Sequence, residues 1–177
     1  MAFGLRIAVA ALVLVVNGST VPGAALEETV TTAKSRALPE SGRYVAQHSV
    51  SGHIEGVELA DGVAAAKLEF EVRVKNEEGA GFLHDAVGSC IGVALYERES
   101  PSGSGLCTFE DEDGDVLFMR FAEDPYTSTG TAESIGGTGK YADIEVTQTH
   151  RTLAFEQAGG AGFEATGVRR GSWRPRE

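Results

Sequence analysis

Two cysteines, two methionines and one tryptophan in 177 residues are too few to build several kinds of site. Structural zinc needs about four Cys or His ligands in a closed set, and no Cys-x-x-Cys or His-x-x-x-His spacing exists to supply them. Positive charge is scarce as well, with 15 Lys+Arg against 26 Asp+Glu and a formal net charge of −11. Binding nucleic acid without sequence preference relies on a clustered Lys/Arg surplus that neutralises phosphates, so nucleic acid is excluded as an expected partner. No apolar run approaches the roughly 20 residues that span a bilayer. What is abundant is glycine, at 23 residues, in a chain that is 42% hydrophobic and 23% charged. That balance excludes disorder, and glycine in this quantity points to many turns and kinked strands in an all-β fold.

The longest apolar run, Ile7 to Val16, follows a start whose only charge is Arg6 and precedes the small residues Gly23, Ala24 and Ala25. A basic start, a short apolar stretch and a small-residue cleavage site make a secretory signal. The expectation is a signal peptide over residues 1–25, with Gly23 and Ala25 at the recognition positions and a secreted or periplasmic product without a stable membrane span. Residues 26–41 show no sustained period and read as a flexible lead-in. Residues 42–177 read as a single β-barrel domain.

From Arg43 onward the period is 2. In Ala66 to Lys75, Leu68, Phe70, Val72 and Val74 share one side while Lys67, Glu69, Glu71, Arg73 and Lys75 share the other. Seven further segments read as extended: Arg43 to Glu55, Phe82 to Glu97, Gly105 to Glu110, Val116 to Ala122, Ser128 to Ile135, Tyr141 to Glu156 and Phe163 to Trp173. Short links rich in Gly, Asn and Asp separate them, and short links join antiparallel neighbours. Closing the sheet on itself buries one face and removes both edges, so the expected fold is an eight-stranded antiparallel barrel, with a two-sheet sandwich as the competing solution. Such a barrel is just wide enough to be filled by side chains or to hold one small ligand. In Tyr141 to Glu156, Gln148 and His150 share a face with Val146 while Leu153 and Phe155 share the other, which predicts a bulge that changes the face.

Cys90 and Cys107 lie symmetrically about Arg98-Glu99, so in a hairpin they fall opposite each other, and in an oxidising compartment the expected state is a disulfide. Glu110-Asp111-Glu112-Asp113-Gly114-Asp115 holds five carboxylates in six residues. As a calcium loop it fails where Val116 stands in place of glycine and Ala122 in place of a bidentate Glu, so a solvated hairpin tip is expected and no metal site. Gly136-Gly137-Thr138-Gly139 precedes a strand rather than a helix, which makes it a tight turn and not a phosphate loop.

The stretch Ser134-Ile135-Gly136-Gly137-Thr138-Gly139-Lys140-Tyr141-Ala142, followed by a long strand ending Thr149-His150-Arg151-Thr152, resembles the I-G-G-T-G-x-F motif of the allene oxide cyclase and dirigent-like barrel superfamily. The resemblance runs in strand order from about Tyr44 to Trp173. It implies an eight-stranded antiparallel barrel, often trimeric, whose hydrophobic lumen binds a small hydrophobic molecule. The activity it implies is non-redox cyclisation or isomerisation by confinement of a reactive conformer, without a cofactor. A non-catalytic carrier, or a structural or interaction barrel with a filled core, is the alternative. Four polar residues near the glycine turn are the site candidates: Glu133 and His150 as a catalytic pair on neighbouring strands, Arg120 and Tyr126 as ligand-binding groups. Tyr126 follows Asp124-Pro125 and is expected on a loop at the barrel mouth. Arg120 and Glu133 form a site if they point inward and ordinary surface charges if they point outward, and alternation alone leaves both open. Arg169, Arg170, Arg174 and Arg176 read as a basic, solvated or subunit-contacting C-terminal end.

Overall fold

The computed structural model describes residues 37–177. The expected signal peptide and most of the expected lead-in lie outside the described residues. Eight strands form one closed antiparallel barrel in chain order: β1 (Gly42–Ala60), β2 (Val63–Asn76), β3 (Val87–Tyr96), β4 (Ser102–Glu110), β5 (Val116–Asp124), β6 (Thr129–Gly137), β7 (Ile144–Gln157) and β8 (Gly162–Pro175). β8 returns to pair with β1, with Gly42 opposite Trp173 and His53 opposite Gly162, so the sheet has no free edge. The expected barrel is the observed fold. β1, β2, β7 and β8 have 14 residues or more, whereas β3 to β6 have at most 10, so one wall rises above the other at the end where the hairpin tips lie.

The register of β3 and β4 sets Cys90 opposite Cys107, and the two are joined in a disulfide with an S–S distance of 2.01 Å. The register of β7 on β8 shifts between Thr152 and Ala154, the bulge that the alternation demanded. Below it Gln148 and His150 face inward; above it Leu153 turns out and Phe155 stacks on Phe163 at 5.5 Å.

The other end of the barrel is closed by side chains. Phe82 to Ala86 was expected within a strand, but it forms a buried turn ahead of β3, with Leu83 at φ +52° and Asp85 at φ +53°. Its apolar residues point into the barrel end rather than alternating across a sheet. Phe82 stacks on Trp173 at 4.8 Å and meets Tyr141 edge-on at 5.6 Å, with Tyr44 at 4.7 Å on another side. Each such buried ring contributes about 1.5–3 kcal/mol through apolar burial, with about 0.5–1.5 kcal/mol more for each aromatic pair. Trp173 Nε1 donates to Pro39 O at 3.0 Å and Leu38 packs on the core, so the end of the lead-in is fastened to this floor.

Tyr141 was expected to open the long strand. Instead it ends a 3₁₀ turn, Gly139–Tyr141, and is fully buried. Its hydroxyl donates to Asp111 Oδ2 at 2.7 Å. The acidic hairpin is therefore solvated only in part: Glu110 and Glu112 are exposed, while Asp111 is a buried clasp whose Oδ1 accepts from the backbone N–H of Asp113 and Asp115. Gly139 has φ +49°, and a Cβ there would lie 1.7 Å from Asp115 Oδ1. Glycine is needed at this position both for the left-handed backbone and for the close approach.

Candidate functional site

Between the aromatic floor and the hairpin tips lies a cavity of about 400 Å³. Even-spaced residues on β1, β2, β5 and β8 supply its apolar wall, among them Val50, Phe70, Met119, Phe121 and Phe163. Phe70 and Phe121 meet edge-on at 5.9 Å across the lumen. At the mouth Tyr96 and Tyr126 form a T-shaped pair at 5.7 Å, and Asp124 Oδ1 fixes the Tyr126 loop by accepting from Tyr126 N at 2.8 Å. Tyr126 is thus where the Asp-Pro turn suggested, on an exposed loop lining the entrance. Burial raises the pKa of Tyr96, and the nearby Glu123 carboxylate and Tyr126 raise it further.

His150 also lines the cavity, but its partner differs from the one anticipated. Its Nε2 lies 3.2 Å from Glu123 Oε2, and both side chains are largely covered. Glu133 and Arg120 stand directly opposite each other on β6 and β5, form an ion pair with each other and are both exposed on the outer wall. The β6–β7 register sets Glu133 against Thr147 and His150 against Gly130, so Glu133 and His150 do not meet. Two physical facts account for this. Ala132 is buried, which turns Glu133 outward on an alternating strand. The link after β6 contains a 3₁₀ turn, which shifts the pairing relative to a tight hairpin. Glu123 follows Leu117, Met119 and Phe121 at even spacing, which is the sequence signal for an inward carboxylate.

The least exposed polar residue lining the cavity is Arg169, expected in a solvated or subunit-contacting end. Phe163, Ala165, Gly167, Arg169, Gly171 and Trp173 are evenly spaced on β8, and that parity carries Arg169 inward while Arg170 faces out. The guanidinium lies over the Phe109 ring at 5.2 Å and is 5% exposed. Burial lowers its pKa from the ordinary arginine range to about 10, against a smaller opposing influence of Tyr44. His48 stands beside it on β1. Burial first, and then the charge of Arg169, push the imidazole down to about 3, so it is neutral at physiological pH. Tyr44 donates its hydroxyl to Gln148 Oε1, and its own pKa is raised by burial despite Arg169. Two glycines make room for these rings: a Cβ at Gly167 would lie 2.7 Å from the His48 imidazole, and one at Gly171 would lie 2.6 Å from Tyr44.

Asp111, Asp113 and Asp115 hold ligand atoms within 4.8 Å of one another, the most metal-like group among the described residues. Lys140 Nζ already lies 2.7 Å from Asp111 Oδ2 and bonds Asp113 too. Burial disfavours the ammonium, but its hydrogen bonds to Asp111 and Asp113 and the charge of both carboxylates outweigh this and raise its pKa. The cluster carries its own cation and serves the floor.

These features define a class: a closed antiparallel barrel with a plugged floor and a lumen of ligand size that is open at the opposite end. No family model matches the chain, and no curated protein matches it. Solved structures similar to it include the pterocarpan synthase dirigent protein GePTS1, at 11% identity and TM-score 0.47 over 77% of this chain and 93% of that one. The pterocarpan synthase dirigent protein PsPTS1 is similar at 10% identity and TM-score 0.47, over 80% of this chain and 99% of that one.

Proposed function

We propose that the barrel binds one small hydrophobic molecule in its lumen. The observation that carries this reading is the cavity of about 400 Å³, walled by aliphatic and aromatic side chains. That volume falls within the range of small-molecule sites, and a core built only for stability is close-packed. The disulfide suits an oxidising compartment, in keeping with a secreted or periplasmic protein. Titration with N-phenyl-1-naphthylamine, a neutral apolar fluorophore, tests the reading. Saturable one-site binding is expected, with loss of binding in Ala165→Phe, which fills the lumen from β8. Equal binding by a folded Ala165→Phe barrel would refute it.

The His150–Glu123 pair supports a second reading, a cofactor-independent isomerase. An imidazole oriented by a carboxylate and facing an apolar cavity can take a proton from a bound substrate and return it at another carbon. Glu123 fills the part for which Glu133 was nominated. Deuterium uptake from D₂O into a bound enolisable ketone, abolished by His150→Phe, is the expected signature. Uptake unchanged by that substitution would leave the barrel a carrier.

A further inference from the structure

We propose that the ligand of this lumen is an apolar carboxylate, bound with its carboxylate on the Arg169 guanidinium and its apolar body directed toward Tyr96 and Tyr126. The proposal deepens the ligand-binding reading above and rests on it.

Arg169 is 95% buried, and its Nε and Nη1 find no hydrogen-bond partner among the described residues. Among those residues it forms no ion pair, and its one direct contact of note is with the face of Phe109. A buried charge without a counter-charge is costly, and a buried guanidinium is normally paired. The groups that could satisfy it are committed elsewhere. Glu123 is the one carboxylate among the described lining residues and it faces His150. The Tyr44 hydroxyl, which donates to Gln148, makes no hydrogen bond with Nε or Nη1.

A guanidinium presents its N–H groups in a planar fork that matches the two oxygens of a carboxylate. The same cavity continues from this fork to the two tyrosines at the mouth, so a ligand with its head on Arg169 lays its body along the apolar wall. The charge count favours a single negative charge. Arg169 is the one Lys or Arg among the lining residues and His48 beside it is uncharged, so the second charge of a phosphate monoester would be buried without compensation. His48 Nδ1, also buried and unpartnered, gives the site a further polar group.

The test compares three probes of one shape, decanoate, methyl decanoate and decanol, by calorimetry and by displacement of N-phenyl-1-naphthylamine, with inorganic phosphate and acetate as bare anions. Decanoate is expected to bind at least tenfold tighter than either neutral probe. Arg169→Met is expected to erase that preference while the neutral fluorophore still binds. The proposal is overturned if decanoate binds no tighter than methyl decanoate and decanol, if the preference survives in Arg169→Met, or if acetate or phosphate binds as tightly as decanoate. The comparison of probes on the unaltered protein stands whether or not the variant folds. If the fluorophore and decanol bind without any preference for decanoate, the lumen reading survives and only the carboxylate is lost. If no probe binds at all, both fail.

Discussion

Acidification should destabilise this barrel through His48 in particular. The imidazole is buried against β8 in the space left by Gly167, and burial together with the neighbouring Arg169 holds its pKa at about 3 in the folded protein. In the unfolded chain the value returns to about 6.5. Between these two values the unfolded state binds a proton that the folded state refuses, so stability falls as pH is lowered from 6.5 toward 3. The limiting slope is about 1.4 kcal/mol per pH unit, and integration from pH 7 to pH 5 gives a loss of about 2 kcal/mol from this group. Urea unfolding with the disulfide intact, at pH 7 and pH 5, measures it. The wild type should lose about 2 kcal/mol more than His48→Leu over that interval, because only the wild type carries this buried imidazole. Equal losses in the two proteins would show that His48 accepts a proton within the fold and would refute the reasoning.

Two further outcomes concern the frame that holds the lumen. Opening the bridge with Cys90→Ala and Cys107→Ala, which frees a loop of sequence separation 17, should cost about 3 kcal/mol in urea unfolding; a loss under about 1 kcal/mol would contradict it. Tyr141→Phe removes a hydrogen bond to the buried Asp111 carboxylate and should cost about 1.5–3 kcal/mol, and a thermal midpoint unchanged from wild type would show that the floor clasp contributes nothing.

The sequence by itself determined the elements and their order. Alternation over Ala66 to Lys75, glycine and aspartate in the links, and the absence of any amphipathic helix lead to eight antiparallel strands. The symmetric placement of Cys90 and Cys107 leads to the bridge, and the clash of faces in β7 leads to the bulge near Leu153. All of these are local consequences of a period of 2 and of turn chemistry, which nearby residues express without knowledge of the rest of the chain.

Only the tertiary structure decided what faces what. A strand pattern defines two faces, and closure of the sheet selects one of them as the interior. Glu133 and Arg120 therefore went outside, while Glu123 and Arg169, opposite in strand parity to Arg120 and Arg170, went in. Phe82, Leu83 and Tyr141 read as strand residues because they are apolar, yet they plug an end that exists only once the barrel has closed. The acidic run read as solvated because like charges repel in an isolated segment. Lys140 and the Tyr141 hydroxyl, brought from across the glycine turn, offset the burial of Asp111 within it. An unpaired buried guanidinium is likewise a property of the assembled lumen: at the sequence level Arg169 is one of four arginines near a terminus, and only its neighbours across the barrel leave it facing the cavity without an ion-pair partner among the described residues.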